Sequence, residues 1–223
     1  MTDTEFRLAA KTSLGITTCN VGSQCQHRYR SEGREDEVCG TPLDAKGRHA
    51  MTCKVQGQIT LTHNRVCNIL ARMCTKAGMQ ALREQLIPEL RGWRPTHRKV
   101  MDAVADVDAR GPGSIPRLLL DASIRYPDPK AYPGSDEGGG VAANAAEKEK
   151  ADEYQRVGGL VMEGAGMETF GRFGKNLCRL IAELHKEARE RTLPQPWDQH
   201  ALHLYCLKSH QFRVYFCTIH NTL

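Results

Sequence analysis

The chain has 223 residues, 40% of them apolar, with 20 glycines and 10 prolines, and it carries 31 Lys and Arg against 26 Asp and Glu for a formal charge of +5. These proportions exclude collagen-like, coiled-coil and wholly disordered chains, and they fit a globular protein of one or two domains that buries roughly 70% of its unfolded surface. No run approaches the roughly 18 apolar residues of a spanning helix, and Met1 to Arg7 are too polar for a signal peptide, so the expectation is an intracellular protein, nuclear or cytoplasmic, with no membrane partner.

Residues 1–18 show no clear period and read as a lead-in. Residues 19–57 interleave Cys19, Cys25, Cys39 and Cys53 with five glycines and few large apolar side chains, so hydrophobic burial alone cannot hold them. Nine cysteines, an odd number, in a chain with no route to an oxidising compartment point to metal binding or burial and away from a disulfide framework. Cys25, Cys39, His49 and Cys53 form C-x13-C-x9-H-x3-C, three thiolates and one imidazole, the ligand set of a closed structural zinc site. The H-x3-C pair is its specific part, and Cys19 and His27 are alternatives for the first ligand.

Val66, Ile69, Leu70, Met73 and Ala77 recur at steps of three and four, which predicts an amphipathic helix over 64–77 that packs on a sheet and is capped by Gly78. Arg91, Trp93, Arg94, His97, Arg98 and Lys99 form a basic stretch with one aromatic, suited to phosphates and a base and equally to a plain exposed loop. Residues 101–109 and 118–124 read as two strands of a hairpin, split by Gly111, Pro112, Gly113 and Pro116. Residues 126–140, with three prolines and four glycines, read as a mobile surface loop. Helix formers return over 142–157 and stop at Gly158, a short strand is expected between Leu160 and Phe170, and a helix over 176–191 carries Leu177, Leu180, Ile181, Leu184 and Ala188 on one stripe. In the tail, His200, His203, Cys206 and His210 imitate metal spacing without turn chemistry around them.

The hairpin places Asp106 and Asp121 on adjacent strands at similar distances from the turn. Two converging carboxylates suit a hard cation, Mg²⁺ or Mn²⁺. Lys150 and Tyr154, four apart on the predicted helix, leave from one face, which can close over the aspartates with the lysine directed to hydroxide or phosphate.

Taken in order, CGTPLDAKGRHAMTC from Cys39, HNRV from His63, REQLIPE from Arg83, ADV from Ala105, LLDASIRYP from Leu119, EKEKADEY from Glu147 and METFGRFG from Met167 resemble the C-terminal part of early-branching non-LTR retrotransposon polyproteins. The resemblance covers roughly residues 25–190. It implies an α/β architecture in which a small zinc-knuckle-like CCHC module at 19–57 is followed, over 58–192, by a restriction-endonuclease-like mixed sheet flanked by helices, with 193–223 a tail of no recognised class. It further implies a metal-dependent DNA endonuclease module that nicks target DNA to prime reverse transcription. The alternatives are a zinc-containing module that binds nucleic acid without cutting it and an inactive relic. Carried over by position, Asp106 matches the aspartate of the PD motif, Asp121 the second acidic residue, Lys150 the lysine displaced onto a helix, Tyr154 the tyrosine after it, and Glu84 a metal-supporting carboxylate of the first helix. Ala105 stands in place of the motif's proline, and Ser123 in place of the usual lysine. The implied partners are DNA or RNA and a reverse transcriptase acting in trans.

Overall fold

The computed structural model describes residues 11, 22–29, 37–45, 47–55, 58–94, 99–111, 117–154 and 160–190. The lead-in except Lys11, Cys19, His97, Arg98 and the tail from 193 lie outside the described residues. The chain divides into two compact units, with a boundary between Arg65 and Val66.

In the first unit, residues near Gln24–Arg28 and Val38–Pro42 run antiparallel, bridged at Gln24↔Pro42 and Arg28↔Val38. Cys25 and Thr41, Cys39 and His27, and Gly40 and Cys25 are joined by backbone hydrogen bonds of 2.8–3.0 Å. A short helix α1 (Arg48–Thr52) follows, entered through Gly47 at φ 66°, a conformation that costs glycine no Cβ clash.

Helix α2 (Gln58–Lys76) starts six residues before the expected helix. Its predicted stripe is real, since Val66, Leu70, Met73 and Ala77 are all buried. The end is a Schellman cap: Gly78 has φ 83°, its N–H donates to Thr75 O, and Met79 N–H donates to Cys74 O.

The second unit is built on a four-stranded mixed sheet, β1 (Gln80–Arg94), β2 (Lys99–Arg110), β3 (Leu118–Arg125) and β4 (Met162–Glu168), in that spatial order. The first two neighbours are antiparallel, and β3 and β4 are parallel, joined through helix α3 (Val141–Glu153). Helix α4 (Lys175–Glu190) completes the described chain. The α/β mixed sheet flanked by helices is therefore the architecture. Strand β1 was not anticipated: its helix-forming REQL run is drawn into the sheet by pairing with β2, a tertiary override of local propensity.

Residues 126–140 form a loop of successive turns and bends. Successive turns carry Tyr132 N–H to Asp128 O at 2.7 Å and Gly138 N–H to Gly134 O at 3.0 Å, and the Ser135 hydroxyl donates to Pro127 O.

Two buried glutamates lock the helices to β4. Glu168 Oε1 accepts from Ala142 N–H, in the first turn of α3, at 3.0 Å. Glu147, on α3, accepts from Asn176 and Leu177 N–H at the start of α4, each at 2.9 Å, and from Gly166 N–H at 3.2 Å. Each carboxylate satisfies orphan donors at the positive end of a helix dipole. Gly164 and Gly166 allow the approach: a Cβ on Gly166 would fall on the Ala143 carbonyl, and one on Gly164 would lie 2.9 Å from Glu147 Cα.

Candidate functional site

Two clusters are separately built. In the first unit, one Sγ, Nδ1 or Nε2 from each of Cys25, Cys39, His49 and Cys53 lies within 4.8 Å of the others. The ribbon supplies Cys25 and Cys39, α1 supplies His49, and Cys53 stands at the C-cap of α1. Cys25 Sγ and Cys53 Sγ are 3.8 Å apart, and Cys39 Sγ is 3.3 Å from His49 Nε2. Metal–thiolate bonds of about 2.3 Å in a tetrahedron give edges near 3.8 Å. These four residues can hold a metal ion, and the spacing is compatible with structural zinc. His27 does not join the cluster; it is 4% exposed, with both ring nitrogens lacking partners among the described residues.

The electrostatics favour a cation there. Burial pushes the Cys25 thiol up to about 12, and the neighbouring Cys53 and Cys39 add repulsion. Cys39 also feels burial, but hydrogen bonds from Thr41 and His49 outweigh it and bring the thiol down to about 6. Several thiols this close cannot all ionise without a positive centre between them.

In the second unit, the register Val107↔Leu120 and Asp108↔Leu119, continued one step, sets Asp106 across from Asp121. The ladder stops there. The Asp106 carboxylate instead accepts from Ala122 N–H at 2.7 Å, so a side chain takes over the backbone's role as the strands part. Asp121 faces α3, because it pairs with Gly164 on β4, whose missing side chain makes room for Glu147 and the Lys150 Cβ. Lys150 Nζ lies 2.8 Å from Asp121 Oδ2 and 3.0 Å from Glu153 Oε2. The Tyr154 hydroxyl donates to Asp121 Oδ2 at 2.8 Å.

Burial pushes the Asp121 carboxyl up, against the pull of Lys150 and Tyr154, and the charge of Asp106 pushes in the same direction as burial. Burial alone would lower Lys150, but Asp121 and Glu153 more than reverse it. The structure thus brings Asp106, Asp121, Lys150 and Tyr154 to the point inside the sheet where β2 and β3 cease to pair. Tyr154 reaches it from an extended C-cap position and not from the helix, since α3 ends at Glu153.

Glu84 does not belong to this group. It lies on β1 rather than on a helix, with φ 53°, and its side chain is 66% exposed, with Oε1 3.3 Å from Arg83 Nη2. Arg91, Trp93, Arg94 and Lys99 are strand positions of β1 and β2 and not a loop. Sequence reading missed Glu153, the second carboxylate on Lys150. Its signal was the i, i+3 spacing on α3. Among the described residues, no helix is long and apolar enough to cross a membrane. No family model matches this chain, and no curated protein matches it.

Proposed function

We propose that the chain is a metal-dependent DNA endonuclease module of non-LTR retroelement type, with a structural zinc held by Cys25, Cys39, His49 and Cys53. The observation that carries the nuclease reading is the meeting of Asp106 and Asp121 at the parting of β2 and β3 with the Lys150 ammonium alongside. The donor set fits a hard divalent cation: two carboxylates offer oxygen ligands, and the position beside Asp121 Oδ2 already draws a positive group. Bound Mg²⁺ or Mn²⁺ supplies charge neutralisation at the phosphodiester and a lowered water pKa. Asp106 and Asp121 hold it, Tyr154 fixes the orientation of the Asp121 carboxylate, and Lys150 stands ready to turn from Asp121 toward the charge that develops on the phosphoryl oxygens. For the other cluster, three thiolates and one imidazole select zinc over Mg²⁺ or Ca²⁺ and close the shell without an open position.

A second reading, a zinc-containing nucleic-acid-binding module without cleavage, rests on the same ion pair, because Lys150 already neutralises Asp121. Nicking of supercoiled DNA with Mg²⁺ or Mn²⁺ decides between them. The nuclease reading expects nicking by the unaltered chain and a loss of about 100-fold or more in Asp121→Asn with folding retained. No nicking by the unaltered, zinc-loaded chain sinks it.

A further inference from the structure

Lys150 is shared between two carboxylates, and Glu153, the second of them, has no part in the cation site proposed above. Lys150 Nζ lies 2.8 Å from Asp121 Oδ2 and 3.0 Å from Glu153 Oε2, and the three side chains are 13%, 11% and 10% exposed. An ion pair that merely decorates a helix sits in solvent, as Lys148 and Asp152 do on α3 at 79% and 66% exposure. Glu153 is placed differently. It is the last residue of α3, where the helix dipole disfavours a carboxylate, and burial disfavours it again.

The surroundings give the ammonium two seats. Gly164 of β4 brings the Lys150 stem against the sheet: a Cβ on Gly164 would lie 3.0 Å from Lys150 Cβ, so the stem is held and the ammonium end is the part that can swing. The Tyr154 ring, its centroid 5.8 Å from Nζ, borders the ammonium on a further side. Asp121 Oδ2 also accepts from the Tyr154 hydroxyl. A divalent cation engaged by Asp121 brings a second positive charge to a carboxylate that already holds the ammonium, and like charges that close repel strongly in a buried site. The ammonium then has to leave Asp121, and a buried ammonium without a counter-charge is strongly disfavoured. Glu153 Oε2 is already in contact with it, so the exchange needs only a rotation of the side-chain end.

We infer that Glu153 is a positioning residue: it receives the Lys150 ammonium when Asp121 engages a divalent cation, which clears the cation's place and keeps the lysine beside the phosphodiester. This rests on the reading of Asp106 and Asp121 as cation ligands. The test is Mn²⁺ binding to the full zinc-loaded chain, read from the paramagnetic resonance of free Mn²⁺, in a cycle of Glu153→Gln and Lys150→Met. Both changes remove charge and nearly keep side-chain shape. Asp121→Asn marks which binding belongs to this site. Lys150→Met removes the competing cation and is expected to tighten Mn²⁺ binding about 10-fold, whereas Glu153→Gln strands the lysine on Asp121 and is expected to weaken it about 10-fold. In the Lys150→Met background, Glu153→Gln is expected to change affinity by less than about 2-fold. Lys150→Gln, a neutral donor to both carboxylates, supplies that background if Lys150→Met does not fold.

A weakening by Glu153→Gln that vanishes when the lysine is removed is a signature that a merely structural role would not produce. Equal weakening in both backgrounds overturns the inference, since Glu153 would then hold the cation itself or only the fold. No effect of Glu153→Gln in either background overturns it too. If plasmid is nicked but the coupling is absent, the exchange falls and the nuclease stands. If the coupling is present but no protein nicks, the nuclease falls and the exchange stands. No Mn²⁺ bound by the unaltered chain or by Lys150→Met overturns both.

Discussion

The cysteine module at 22–55 and the sheet unit differ in the apolar side chains that their described residues bury. Among the described residues of the module the buried apolar ones are Cys25, Leu43, Ala50 and Cys53, of which Leu43 alone is a large aliphatic. The sheet unit buries Ile87, Leu90, Val107, Leu119, Leu120, Met162, Leu177, Leu180 and Leu184, with Tyr154 packed into the cluster of Ile87, Leu90, Leu119 and Met162. Four metal ligands can replace such a core because coordination concentrates its free energy in one point, whereas hydrophobic burial must spread it over many side chains. A ligand cluster can therefore specify a fold with few residues, and a packed sheet tolerates polar residues where two of its strands part.

Metal removal breaks the comparison most sharply. Structural zinc contributes roughly 10 kcal/mol. A strong chelator, or Cys53→Ala, is expected to abolish hydrogen-exchange protection over residues 22–55 and leave β1 to β4 protected; a module that keeps its protection would refute metal as its organiser.

The next largest effect belongs to Glu147. Glu147→Ala strips the acceptor from three backbone N–H groups, two of them opening α4, and is expected to cost about 3 kcal/mol or more in denaturant unfolding of the sheet unit. The chelator-sensitive protection of the module should not change.

Gly166→Ala tests the close seat of α3 on β4. The added Cβ meets the Ala143 backbone carbonyl, which cannot turn aside as a flexible side chain can, so a loss of about 2 kcal/mol is expected. The same change at Gly22, which has nothing within 4 Å, meets only the strain of its φ of 93° and should cost less.

The smallest effect is a pH dependence confined to the sheet unit. Hydrogen bonds from Arg117, at 2.8 and 2.6 Å, hold the buried Asp108 carboxyl below its ordinary value, with Arg110 assisting. A depressed carboxyl contributes stability above its unfolded-state value, near pH 4, and loses it as pH falls through the lower folded value. Thermal unfolding followed from pH 6 to pH 2 should show this loss, and Asp108→Asn should reduce it; an equal pH response in both proteins would dismiss the ion pair as its source.

Local signals made much of this architecture legible. The step of three and four residues in α2, the glycine at 78 and the apolar run of β3 each act through neighbours in the chain, so they survive as pattern. The H-x3-C spacing likewise sets His49 and Cys53 near each other through a single helical turn. Strand β1 was hidden because Pro88 and Gly92 interrupt it, and because Leu82 and Leu86 lie exposed at 45% and 57%, giving no inward apolar alternation.

By itself, then, the sequence determined the set Cys25, Cys39, His49 and Cys53 that can hold a metal ion, the strand, strand, helix order of Asp106, Asp121 and Lys150, and the caps and stripes of the principal helices. Only the tertiary structure decided that Glu84 stands apart, that Tyr154 reaches Asp121 from beyond the helix, and that Glu147 and Glu168 tie α3 and α4 to β4. Those contacts join residues 19 to 33 positions apart, and at such separations no periodicity connects the partners. What brings them together is the closing of the β3–α3–β4 crossover, in which Gly164 and Gly166 let a helix approach the sheet closely enough for buried carboxylates to reach backbone donors.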